Sequence, residues 1–218
     1  MYGVLRPFMA FAVLGGLLAF APSHRSHSQI APAAPAMANQ ADIYLLRGLF
    51  NIYSLGMDSL AAKLRSQGYS PTVTTWDSAP AIAERIIAKH RRGETAPLVL
   101  IGHSLGSNAV VQIANQLAQQ KIPVGLAVTF DVTEPLVIPA NVERFINFYQ
   151  RNGFGKVASP APGFKGEFSN LDLSGDTNLN HVNIDESPQL QSFVMDRVYE
   201  LTHAHIGAAQ ARRKKKRS

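Results

Sequence analysis

The chain has 218 residues, 46% of them hydrophobic, a formal charge of +6 and no cysteine. That length suits one domain with a sizeable core, and the missing cysteine excludes disulfides, a thiol nucleophile, a cysteine-based zinc site and a lipoprotein anchor. The six cations Arg212 to Arg217 equal the whole net charge, so the remainder is balanced and the basic pI describes a tail, not a binding face.

Met1 to Phe20 carries Arg6, then an apolar run from Phe8 to Phe20, and leads to small-residue sites at Ala19-Phe20-Ala21 and Ala36-Met37-Ala38. This pattern predicts a secretory signal. Residues 1–38 are therefore expected to be signal peptide and flexible leader, with the protein exported to the periplasm or the medium. The apolar run is shorter than the ~20 residues of a spanning helix; an uncleaved N-terminal membrane anchor is the alternative. Pro22 to Gln40 is rich in Ala, Pro, Ser and His without an apolar period, as a linker is. His24 and His27 within it fix no metal geometry by themselves.

From Ile43 onward, short apolar runs alternate with helical stretches. Strands are predicted at Ile43 to Leu46, Pro71 to Trp76, Leu98 to Ile101, Val124 to Phe130, Val142 to Tyr149 and within Phe168 to Leu173. Helices are predicted at Leu55 to Gln67, Ala79 to Arg92, Ser107 to Gln119 and from about Pro188 to Ala209. Such alternation predicts an α/β fold over residues 39–209, a mostly parallel central sheet of about six strands with helices on both faces and no room for a large lid. Residues 210–218 form a basic C-terminal tail. Its six adjacent cations suit an anionic membrane surface, although a solvated, disordered end is the plainer expectation, and the absence of interleaved aromatics argues against nucleic acid.

The segment with the most chemistry is Gly102-His103-Ser104-Leu105-Gly106, placed directly after Leu98-Val99-Leu100-Ile101 and before a helix. A strained strand-to-helix turn presents a serine Oγ clear of its backbone, and glycines two positions either side remove the Cβ atoms that would collide. The competing role for Ser104 is a helix cap. A serine hydroxyl needs a histidine base and an acid to orient it. His181, in the polar loop Leu179 to Asp185, is the candidate base, ahead of His203 and His205 near the end of the last helix. Asp131, at the end of the strand Val124 to Phe130, is the candidate acid, with Asp172, Asp176 and Asp185 as competitors. The oxyanion donors are expected to be the backbone amides of Leu105 and of Leu49, with Phe50 as the alternative to Leu49. His103 is expected to point away from Ser104 and pack beside the site, and His90 to lie on a helix surface.

The elbow Gly102 to Gly106 together with Thr129-Phe130-Asp131-Val132-Thr133-Glu134-Pro135 resembles the α/β-hydrolase superfamily, particularly its small lipase- and esterase-like members. The resemblance runs from about Ile43 to the last helix. It implies a serine hydrolase of carboxylic esters that passes through an acyl-enzyme on Ser104, acts on a small-molecule or lipid ester, and needs no cofactor and no metal. Thioester cleavage by the same residues is one alternative, and a noncatalytic envelope-binding protein retaining the fold is another. Where the family often has His-Gly at the oxyanion loop this chain has Arg47-Gly48, so Arg47 is also a candidate contact for an anionic substrate group.

Overall fold

The computed structural model describes residues 41–49 and 54–215, all within a compact unit spanning Ala34–Ser218. The leader with both cleavage sites, Phe50, and the end of the basic run from Lys216 lie outside the described residues. No described helix is long and apolar enough to cross a membrane.

Six parallel strands form the central sheet in the order β2-β1-β3-β4-β6-β8: β2 is Thr72–Thr75, β1 Asp42–Arg47, β3 Leu98–His103, β4 Leu126–Phe130, β6 Arg144–Tyr149 and β8 Glu167–Asp172. The α-helices among the described residues are α1 (Leu55–Ser66), α2 (Ala79–Arg91), α3 (Leu105–Gln119) and α4 (Pro188–Lys215). Alternation along the strands divides the core. Tyr44, Leu46, Leu98 and Leu100 face α2 and α3, whereas Ile43, Leu45, Val99 and Ile101 face α1 and α4. A strand covered on both faces has no polar side, which is why β3 reads as an unbroken apolar run and every one of its residues is buried.

Two short strands escape the sequence pattern. β5 (Leu136–Ile138) and β7 (Ala158–Pro160) pair in parallel as a separate ribbon, each only three residues long, too short for a period to register. The strand expected from Val124 is also broken: Val124 makes an isolated bridge to Val142, and the regular ladder starts at Leu126. At the other end, α4 continues past Ala209 to Lys215, so the basic run starts as helix, not as a disordered end. The reason is local: Ala, Gln, Arg and Lys are strong helix formers, no breaker intervenes, and cations suit a helix C-terminus.

Close backbone packing fixes the centre of the sheet edge. A Cβ on Gly106 would lie 2.0 Å from the Leu46 carbonyl oxygen, and one on Gly102 would lie 2.2 Å from that of Gly106. The first turn of α3 therefore sits directly against β1 and β3. Gly106→Ala is expected to destabilise the fold by about 3 kcal/mol or more, because the obstacle is backbone and cannot rotate away; chemical denaturation checks this, and an unchanged midpoint would contradict it.

Candidate active site

Four residues of the site are each the first past the end of a strand: Gly48 after β1, Ser104 after β3, Asp131 after β4 and Gln150 after β6. The register pairs Leu46 with Gly102 and His103 with Phe130, so these strand ends form one edge of the sheet. In open parallel sheets that carboxyl edge is where ligands bind.

Ser104 has φ 57° and ψ −125°, a conformation that costs a non-glycine residue on the order of 1–3 kcal/mol. Its amide donates to the Phe130 carbonyl at 2.9 Å. The Ser107 hydroxyl holds the turn from behind, lying 2.8 Å from the Gly102 carbonyl and 2.9 Å from that of Phe130 while accepting the Phe130 amide. The Ser104 side chain makes no capping bond to α3. Instead its Oγ lies 3.0 Å from His181 Nε2.

His181 Nδ1 is 3.1 Å from Asp131 Oδ2. Asp131 is fully buried, with φ 50°, and its Oδ1 accepts the Gln150 amide at 3.1 Å. A Cβ on Gly155 would come within 2.2 Å of that same oxygen, so a glycine is needed there to let the loop close over the acid. The Gln150 side chain reaches to the histidine loop and donates to the Leu179 carbonyl at 2.9 Å. One residue thus secures both the acid and the segment that carries the imidazole.

These contacts define a proton path. If Nδ1–H donates to the Asp131 carboxylate, Nε2 is free to accept from the Ser104 hydroxyl, the tautomer a general base requires. Gly48 approaches the nucleophile closely: a Cβ there would stand 2.9 Å from Ser104 Cβ and 3.3 Å from its Oγ. Among the described residues, neither the Leu105 amide nor the Leu49 amide is spent on an acceptor, which leaves both available to a developing oxyanion.

The remaining candidates are engaged elsewhere. Asp172 is bound to Ser174 and paired with Arg151, Asp176 caps Asn178, and His203 lies stacked on Tyr199 with Nδ1 on that residue's carbonyl. His205 is exposed on α4. Arg47 grips the Asp58 carboxylate through Nε and Nη2, so its guanidinium is committed to α1 and does not wait for a substrate anion. Among the described residues no three His, Asp or Glu side chains gather where they could hold a metal.

His103 was expected beside the site, but the partners that hold it there, Ser54, the His181 carbonyl and Asp185, escaped sequence reasoning. His103 is buried with Nδ1 2.8 Å from Ser54 Oγ and Nε2 2.7 Å from the His181 carbonyl. Burial pulls its pKa down from 6.5 to about 4. Asp185, also fully buried, has one carboxyl oxygen 3.8 Å from His103 Nδ1 and completes no hydrogen bond of normal geometry. Burial pushes its pKa from 3.8 up to about 7; the amides of Gly56 and Met57 at the start of α1 favour the charged form but are outweighed.

The comparisons with known proteins agree with this architecture. A family model described as a thioesterase domain matches residues 55–144, a span that runs from α1 to the first residue of β6 and includes both the serine turn and Asp131. No curated protein sequence matches the chain. The parallel sheet and the serine turn have the architecture of the α/β-hydrolase superfamily, to which the thioesterase-domain family belongs. The domain match supports a serine hydrolase of that type, acting on ester or thioester bonds.

The two buried ionisable groups set opposite pH dependences. Between about pH 4 and 7 folded Asp185 keeps a proton that the unfolded chain has lost, so its contribution to stability falls as pH rises through that window. Folded His103 lacks a proton that the unfolded chain holds between about pH 4 and 6.5, so its contribution falls as pH drops. Asp185→Asn keeps the shape and removes the first effect. Its melting temperature is expected to exceed that of the wild type at pH 8 by a wider margin than at pH 4; an equal offset at both values would contradict the buried, protonated carboxyl.

Proposed function

We propose that the protein hydrolyses carboxylic esters through an acyl-enzyme on Ser104, with His181 as general base, Asp131 as its orienting acid and the amides of Leu105 and Leu49 as oxyanion donors. The observation that carries this proposal is the continuous relay from Ser104 Oγ to His181 at 3.0 Å and from His181 to Asp131 at 3.1 Å. His181 Nε2 takes the hydroxyl proton as Oγ attacks the ester carbonyl; the tetrahedral oxyanion is held by the two amides, and collapse expels the alcohol, which receives the proton from His181. Water, deprotonated by the same imidazole, then attacks the acyl-enzyme, releasing the acid and regenerating Ser104.

The surroundings favour an uncharged substrate with an apolar part. Leu49, which follows the Gly48 that abuts Ser104, is 45% exposed, and Phe154, 68% exposed, has its ring 4.9 Å from that of His181. From Leu105 a groove of about 540 Å³ runs along α3, past Trp76, Asn108, Gln112, Gln116 and Glu134. That volume is ample for a small-molecule ligand, and among the described residues no lysine or arginine lines it to receive phosphates. Thioester hydrolysis is the second reading, favoured by the thioesterase-domain match; the groove suits short acyl thioesters better than those of a nucleotide-bearing carrier. The leader supports placing the activity outside the cytoplasm.

The purified protein is expected to be labelled by a fluorophosphonate, and Ser104→Ala to remain unlabelled. On a panel of oxygen esters and thioesters graded by acyl length, His181→Ala and Asp131→Asn should each lose on the order of 10³–10⁴-fold in kcat, while His203→Ala should retain wild-type turnover. A folded protein that neither labels nor turns over any ester would overturn the catalytic proposal in favour of a binding role.

A further inference from the structure

We propose that His103 is a positioning residue: its one imidazole ties the oxyanion loop to the histidine loop, fixing the distance between the oxyanion donors and the base. The inference rests on the acyl-transfer reading of Ser104 and His181. It assigns work to a side chain that makes no hydrogen bond to the Ser104 hydroxyl and whose ring lies tilted beside that of His181, the centroids 5.2 Å apart.

The hydrogen bonds run in one direction only. A carbonyl oxygen can only accept, so His103 Nε2, 2.7 Å from the His181 carbonyl, must carry a proton. In the neutral ring Nδ1 is then an acceptor, and the Ser54 hydroxyl at 2.8 Å donates to it. Having donated its proton, Ser54 Oγ accepts the Gly48 amide at 2.9 Å. The chain therefore reads Gly48 N–H to Ser54, Ser54 O–H to His103, His103 N–H to the His181 carbonyl. Every member is satisfied, and reversing the proton on His103 would break the outer bond and leave two acceptors facing each other. The low basicity that burial imposes keeps the ring neutral near pH 7.

Both ends of this chain are sites of consequence. Gly48 abuts Ser104 and precedes Leu49, a proposed oxyanion donor. At the far end, the carbonyl bound by His103 belongs to the residue whose ring bonds Asp131 and Ser104. Ser54, His103, Gly48 and Asp185 are all buried, so water cannot stand in for a lost partner at low cost. A misplacement of about 1 Å in either group is enough to lower a rate ~10²-fold. Because the donors and the base act in the transition state and not in ground-state binding, the loss should fall on kcat.

Three variants and one spectrum test this. His103→Leu removes both ring bonds, Ser54→Ala removes the link to Gly48, and His103→Gln puts an amide N–H where Nε2 stood and restores the bond to the His181 carbonyl. With a short activated ester, His103→Leu should lose at least ~30-fold in kcat with KM changed less than ~3-fold, Ser54→Ala at least ~5-fold, and His103→Gln should recover to within ~5-fold of wild type. Thermal unfolding of each variant separates misplacement from misfolding. Ring ¹⁵N NMR of the wild-type protein at pH 7 should show His103 neutral with its proton on Nε2, a readout that does not depend on turnover. A His103 protonated on Nδ1 or on both nitrogens would overturn the proposal whatever the enzyme does. So would a folded His103→Leu with wild-type kcat, or a loss that His103→Gln fails to reduce. Absence of turnover in the wild type, with the expected spectrum intact, would instead count against acyl transfer alone.

Discussion

The turn at Ser104 is the constraint on which the rest of the structure depends. A non-glycine residue held at φ 57° is strained, and it stays there only because its neighbours leave it no alternative. Gly102 and Gly106 are in backbone contact with each other, Gly106 rests on Leu46, and Ser107 grips the carbonyls of Gly102 and Phe130. The apolar burial of β3 between two helical layers supplies the stability against which this local cost is set. Shifting the turn would also move α3, whose first amide, that of Leu105, is a proposed oxyanion donor.

Around that fixed point the structure anchors a loop that regular secondary structure does not hold. The segment carrying His181 lies between β8 and α4, and three separate bonds locate it: the ring to Asp131, the backbone carbonyl to His103, and the Leu179 carbonyl to the Gln150 side chain. Two of those anchors sit immediately beyond strand ends and the third is the last residue of β3. Rigidity is passed from the sheet edge to the loop, as a site needing sub-ångström placement requires. Asp185 stands out within this arrangement as a buried carboxyl that completes no hydrogen bond of normal geometry, placed near the start of α1 and His103. A polar group in that situation is costly unless it keeps its proton.

Most of the fold was legible in the sequence because parallel strands buried on both faces leave long apolar runs and the helices between them keep a clear period. The serine turn was legible because glycine, serine and glycine at that spacing have a steric meaning between a strand and a helix. Asp131 and His181 could be singled out by order and by place, as the residue closing a strand and as a histidine in a late polar loop. The layer behind them could not be read so directly. Ser54, Ser107 and Gln150 are ordinary polar residues whose partners lie 49, 23 and 29 positions away in the chain, and no local pattern marks such pairs. Arg47 looked available because Asp58, which holds it, sits 11 residues on and on another element. β5 and β7 were too short to show a period, and α4 ran on into the basic segment because nothing in that sequence stops a helix.

Ser104 is the proposed nucleophile, and the residue that carries the acyl group decides its role. Rapid mixing of the protein with an excess of an activated ester, acid quenching and mass spectrometry of the intact chain and its peptides would locate it. One acyl group per chain on the peptide that contains Ser104 is the predicted result. An acyl group on a different residue, or wild-type ester turnover in Ser104→Ala, would contradict it.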